Sequence, residues 1–128
     1  MMTEYVLDSS AILAVSNNEI GAEQAAAALF ASKVCSVNLA EVVTKFVEGG
    51  APFDLARRQV EDLALTVIDF DRELAIQAGL LRKTTSHRGL SLGDRACLAL
   101  AIREKRPVLT ADTAWSDLDL PVQVVLIR

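Results

Sequence analysis

Apolar and polar positions follow two regimes along the chain. Short apolar runs of strand type at residues 5–7, 34–36, 65–68 and 107–110 each hand over to a stretch with helical character, and 122–127 closes the chain as a last β-rich run. Helices are expected over 10–15, 37–48 and 71–83, with a short turn or helix near Ala114, while 19–31 and 52–64 supply two more. Gly49 and Gly50 stop the helix over 37–48 and Pro52 opens the next, the common order of a glycine stop and a proline start. No internal repeat or linker interrupts the pattern.

Alternating strands and helices imply a largely parallel sheet covered on both faces. The right-handed crossover rule then narrows the expectation to an α/β fold, a three-layer α/β/α sandwich forming one domain over 1–128. In open parallel sheets ligands gather beyond the carboxyl ends of the strands. Asp8 and Asp112 each follow such an end.

Composition narrows the classes of function. At 128 residues and 52% hydrophobic, the chain has enough apolar material for one substantial core and is short for two. A net charge of −4 argues against holding nucleic acid mainly through a basic surface, yet a bound cation reverses the local sign of an acidic pocket, so a nuclease remains compatible. Glu4 and Asp8 stand where a signal peptide would carry positive charge, and no apolar run approaches the roughly 20 residues of a membrane helix; a cytoplasmic protein without a membrane partner is expected. Cys35 and Cys97 lie singly in apolar stretches without CxxC spacing and are expected as buried free thiols.

Four acids stand out against this background: Asp8, Glu41, Asp94 and Asp112. Each has an ordinary explanation alone. Asp8 could cap the helix that follows, although Ser9 and Ser10 could cap as well and Ser10 could instead orient a carboxylate. Ser91, Leu92, Gly93, Asp94 has the spacing of a capping box. Against this, the helix that Asp94 opens, 96–102, is apolar on nearly every face, and Asp94 shares a stripe with Cys97, Leu98 and Ala101. Glu41 falls with Asn38, Thr44, Lys45 and Glu48 on the polar side of its helix, where an ion pair with Lys45 would suffice. Asp112 fits an Asx turn at a strand end. Taken together, the fold directs all four toward one place. At an effective dielectric near 20, two ionised carboxylates roughly 5 Å apart repel by about 3 kcal/mol, so such a cluster calls for a cation, with Mg²⁺ or Mn²⁺ the best match to oxygen ligands.

The remaining chemistry is sparse. His87 is the only histidine, and no GxSxG, GxGxxG or P-loop pattern occurs, which disfavours acyl transfer and nucleotide-cofactor enzymes. Arg82, Lys83, His87, Arg88 and Arg95 form a locally basic stretch that reads either as a solvated helix end or as a guide for a polyanion. Asp117 reads as a solvated loop residue or a distant ligand.

The residues resemble a known family. The opening Val6, Leu7, Asp8, Ser9, Ser10, Ala11, the mid-helix Glu41, the stretch Leu90, Ser91, Leu92, Gly93, Asp94, Arg95 with Leu98, Ala99, Leu100, Ala101, and Val108, Leu109, Thr110, Ala111, Asp112 with Trp115 are similar in order and spacing to PIN-domain ribonucleases, specifically the VapC-like toxins of bacterial toxin-antitoxin pairs. The resemblance covers nearly the whole chain and puts the family's four acidic positions on Asp8, Glu41, Asp94 and Asp112, none substituted. Thr110 matches the supporting hydroxyl position, beside Ser10. It implies Mg²⁺- or Mn²⁺-dependent cleavage of RNA with Asp8, Asp94 and Asp112 as metal ligands and Glu41 orienting the nucleophile. It also implies a homodimer and a VapB-like antitoxin that blocks the site. Two alternatives stand beside it. A haloacid-dehalogenase-like phosphatase also begins with a strand-end aspartate, but it usually has a second aspartate two residues later, where this chain has Ser10, and its catalytic lysine has no evident counterpart. The other is a noncatalytic interaction domain whose acids cap helices.

Overall fold

The computed structural model describes residues 3–127, so Met1, Met2 and Arg128 of the expected 1–128 unit lie outside the described residues. Five strands, β1 (Val6–Leu7), β2 (Lys33–Cys35), β3 (Thr66–Ile68), β4 (Val108–Thr110) and β5 (Val124–Leu126), form one sheet in the order β3-β2-β1-β4-β5, every pair parallel. The helices are α1 (Ser9–Ser16), α2 (Ala22–Leu29), α3 (Ser36–Glu48), α4 (Phe53–Asp62), α5 (Arg72–Leu80), α6 (Arg82–Thr85) and α7 (Leu92–Glu104), with 3₁₀ turns at Ser86–Arg88 and Thr113–Trp115. Parallel neighbours require a crossover at each connection, and the helices that make the crossovers cover both faces, giving the three-layer α/β/α sandwich.

Strand parity assigns the two cores. Val6, Cys35 and Val108 pack on the face covered by α5 and α7, whereas Leu7, Val34 and Leu109 pack on the opposite face with Ala11, Ile12, Ala25 and Val42. The register Val6↔Val108 and Leu7↔Leu109 keeps these sets aligned across the centre of the sheet. Helix α7 is buried on most sides, with Gly93 and Ala96 through Ala101 all inaccessible, which is why its sequence lacks a polar face. Two polar clamps hold α5 antiparallel to α7. Arg103 in the last turn of α7 donates to Asp71, the N-cap of α5, at 2.9 Å, and Arg95 in the first turn of α7 donates to the Ala78 carbonyl near the end of α5 at 3.1 Å.

Several boundaries differ from those expected. The helix expected over 19–31 starts only at Ala22, because Gly21 takes the left-handed conformation (φ 91°) against the backbone of Ile127. The helix expected over 71–83 divides at Leu81, whose carbonyl accepts from Thr84 N, Thr85 N and the buried Thr85 hydroxyl and so tightens the turn. Ser36, expected in a strand, begins α3. Cys35 and Cys97 are buried and free, as expected. Among the described residues no helix is long and apolar enough to cross a membrane.

Candidate active site

The sheet order changes direction at β1. The chain builds outward from β1 to β2 and β3, then returns to place β4 on the other side of β1, so a crevice opens beyond the carboxyl ends of β1 and β4. Asp8 continues β1 with the parity of Val6 and therefore points toward the α7 side, and Thr110 has the same parity at the end of β4. Their side chains meet: Thr110 Oγ1 donates to Asp8 Oδ2 at 2.9 Å, and Ser10 Oγ donates to the same oxygen at 2.5 Å. Each hydroxyl is oriented from behind by a backbone amide, Ala111 N to Ser10 Oγ at 2.9 Å and Asp112 N to Thr110 Oγ1 at 3.0 Å. With their lone pairs engaged by amides, both hydroxyls turn their protons toward the carboxylate.

Asp8 occupies the N-cap position of α1 but makes no side-chain cap, which removes the capping explanation; Ser9 and Ser10 do not cap the helix either. Only 3% of its surface is exposed. Burial raises its pKa to about 6; the two hydroxyl hydrogen bonds pull it back, and the charges of Asp94 and Glu41 push it further up. A carboxylate is thus held in the interior with further negative charge beside it.

Asp94 does two jobs. The capping box exists, with Ser91 Oγ accepting from Asp94 N at 3.2 Å and Asp94 Oδ2 accepting from Ser91 N at 2.9 Å. The same side chain, half-buried rather than sunk in the apolar stripe as expected, adds its charge to Asp8. Glu41 is also half-buried and does not pair with Lys45, which instead contacts Glu48 at 3.4 Å. Its Oε1 accepts from Asn38 Nδ2 at 2.8 Å, and Asn38 Nδ2 also donates to the Gly93 carbonyl at 3.0 Å. Asn38, expected on a polar surface stripe, is fully buried because α7 packs over that part of α3. Its role was missed by periodicity; the available signals were an amide three residues before Glu41 and a glycine immediately before Asp94.

Asp112 enters differently. Its Oδ1 accepts from Ala114 N at 2.9 Å and caps the 3₁₀ turn, the Asx-type arrangement expected at a strand end, while its own amide supports Thr110. Ser10 and Asp112 line a cleft of about 320 Å³ with Leu13, Asn17, Glu19 and Ala111. Asp117 is exposed and bound to Arg88, and Arg95 is used by the α5–α7 clamp, so these members of the basic stretch have structural partners.

Asp94 and Glu41 act on Asp8 through their charges, and burial first, then the charges of Asp8, Cys35, Asp94 and Glu41, push the thiol of Cys97 well above its ordinary pKa. Among the described residues no three His, Cys, Asp or Glu side chains stand close enough to form a ready-made metal cage, and no ion pair reaches any of the four acids. The donor set suits a hard divalent cation: every donor is oxygen, the central carboxylate is buried and raised in pKa, and among the described residues no lysine or arginine pairs with it.

A family model described as the PIN domain matches residues 5–120. Among solved structures, the chain resembles a toxin-antitoxin complex from Klebsiella pneumoniae (TM-score 0.74, 19% identity, 97% of this chain and 98% of that one). It also resembles a DNA-bound VapBC from Salmonella typhimurium (0.76, 18%, 100% of both) and VapBC2 from Rickettsia felis bound to a promoter DNA fragment (0.74, 17%, 97% and 98%). At these identities the likeness is one of fold. No curated protein sequence gives a significant match.

Proposed function

The chain belongs to the PIN domain family, and on that premise we propose that it is a Mg²⁺- or Mn²⁺-dependent endoribonuclease, the VapC-like toxin of a toxin-antitoxin pair. The observation that carries the reading is the buried Asp8 carboxylate, held by two hydroxyls and acted on by the charges of Asp94 and Glu41, with no lysine or arginine paired to it among the described residues. Asp8, Asp94 and Asp112 would hold the metal. When bound, the ion supplies positive charge at the phosphodiester and increases the acidity of nearby water. Ser10 and Thr110 keep Asp8 oriented, and the capping box fixes the backbone around Asp94. Glu41 Oε2, the oxygen not engaged by Asn38, is the proposed acceptor for the proton of the attacking water.

The partners follow the same reading: RNA as substrate, a VapB-like antitoxin, and a second copy of the chain in a homodimer, all in the cytoplasm. An apolar groove of about 460 Å³ between α3 and α4, with Phe53 81% exposed on its rim, supports a protein partner; none of the four acids lines it. The phosphatase alternative gains no support, because Ser10 is committed to Asp8 and no lysine pairs with Asp8 among the described residues. The test uses purified protein, single-stranded RNA and either Mn²⁺ or chelator. Cleavage that needs Mn²⁺ and disappears in Asp94→Asn is expected; cleavage equal in chelator or in the variant would overturn the assignment.

A further inference from the structure

We infer that Asn38 and Gly93 form a seat that positions the Glu41 carboxylate, so that both are positioning residues for the reaction; this rests on the nuclease reading above. Asn38 lies one turn before Glu41 on α3 and has no exposed surface. Its amide nitrogen bridges Glu41 Oε1 and the Gly93 carbonyl in the first turn of α7, tying the glutamate to the helix that carries Asp94. Its Oδ1 is buried without a hydrogen-bond partner, a cost that an apolar residue would not carry and that packing alone does not explain. Gly93 supplies the room. A methyl group at its Cα would stand 2.7 Å from Glu41 Cδ and 2.8 Å from Oε1, and the groups it meets are the far end of that flexible side chain.

These two features make different demands. Asn38 draws the carboxylate inward by a donor, and Gly93 permits the approach by lacking a side chain. Without either, Glu41 is free to swing toward solvent, as its place on the polar stripe of α3 would otherwise favour. Gly93→Ala is the sharper variant, since alanine suits a helix better than glycine and its methyl displaces only the glutamate tip.

The test compares wild type, Asn38→Ala, Gly93→Ala and Glu41→Gln, with each of the first two variants also made in the Glu41→Gln background. Initial cleavage of a random-sequence single-stranded RNA pool with Mn²⁺ is measured beside the ¹³Cδ resonance of Glu41 in metal-free protein, assigned by its loss in Glu41→Gln. Both single variants should stay folded, shift that resonance, and cleave about 10- to 100-fold more slowly, with no further loss in the Glu41→Gln background. Unchanged rates, or losses that persist in full in that background, would overturn the inference. A wild type that does not cleave would sink the nuclease reading instead, and the metal-free resonance would still decide whether the seat holds: an unshifted signal in both variants refutes it.

Discussion

Replacing Asp8 with asparagine should make the metal-free protein more stable, and increasingly so as pH rises. The carboxyl titrates near 3.8 when unfolded and at about 6 in the fold, chiefly because it is buried. Between those values the native state binds more protons than the unfolded state, so stability falls as pH rises through this window, and the full penalty applies above pH 6. A shift of about two units corresponds to about 3 kcal/mol at pH 7.5, decreasing to about 1 kcal/mol at pH 4.5. Asparagine carries no charge and retains an oxygen for Ser10 and Thr110, so its weaker hydrogen bonds add an offset that does not vary with pH. Urea unfolding in chelator at both pH values reads the difference. The stability of Asp8→Asn relative to wild type should increase by about 2 kcal/mol from pH 4.5 to 7.5. Parallel pH profiles would show that Asp8 is not the strained carboxylate described here, and Mn²⁺ at pH 7.5 should stabilise wild type more than the variant.

Asp94→Ala should cost about 1 kcal/mol through loss of the capping box, whereas Asp94→Asn, which keeps an oxygen for Ser91 N, should cost less; denaturant unfolding separates this structural role from the loss of cleavage expected of both. Gly21→Ala should destabilise by about 2 kcal/mol or more, because a side chain there is strained at φ 91° and meets the carbonyl and Cβ of buried Ile127; a melting temperature equal to wild type would contradict this.

The parts of the site legible in the sequence were those tied to the strand period. Asp8 and Asp112 sit directly past apolar runs, and a parallel sheet brings such ends together wherever the helix boundaries fall. Ser10 was legible as an orienting hydroxyl because it lies two residues from Asp8. The local rules were less informative where two elements meet. Helical spacing placed Asn38 and Glu41 on one polar stripe correctly, but it could not reveal that α7 covers that stripe, which turned a surface face into a buried contact. Capping rules offered Asp8 as a helix cap, whereas Thr110 at the end of β4, together with Ser10 in α1, holds its carboxylate. The break at Leu81 carries no proline, Gly79 before it stays inside α5, and the Thr85 hydroxyl that bonds the Leu81 carbonyl is held by burial, a tertiary circumstance.

Expression of wild type and Asp8→Asn in a bacterial host, with RNA ends mapped across the transcriptome, asks whether this carboxylate drives RNA cleavage. Because the variant is expected to fold at least as stably as wild type, loss of function cannot be attributed to unfolding. Growth arrest and new RNA ends should appear with wild type and be absent with Asp8→Asn. The same arrest and the same ends in both would contradict a nuclease site built on Asp8.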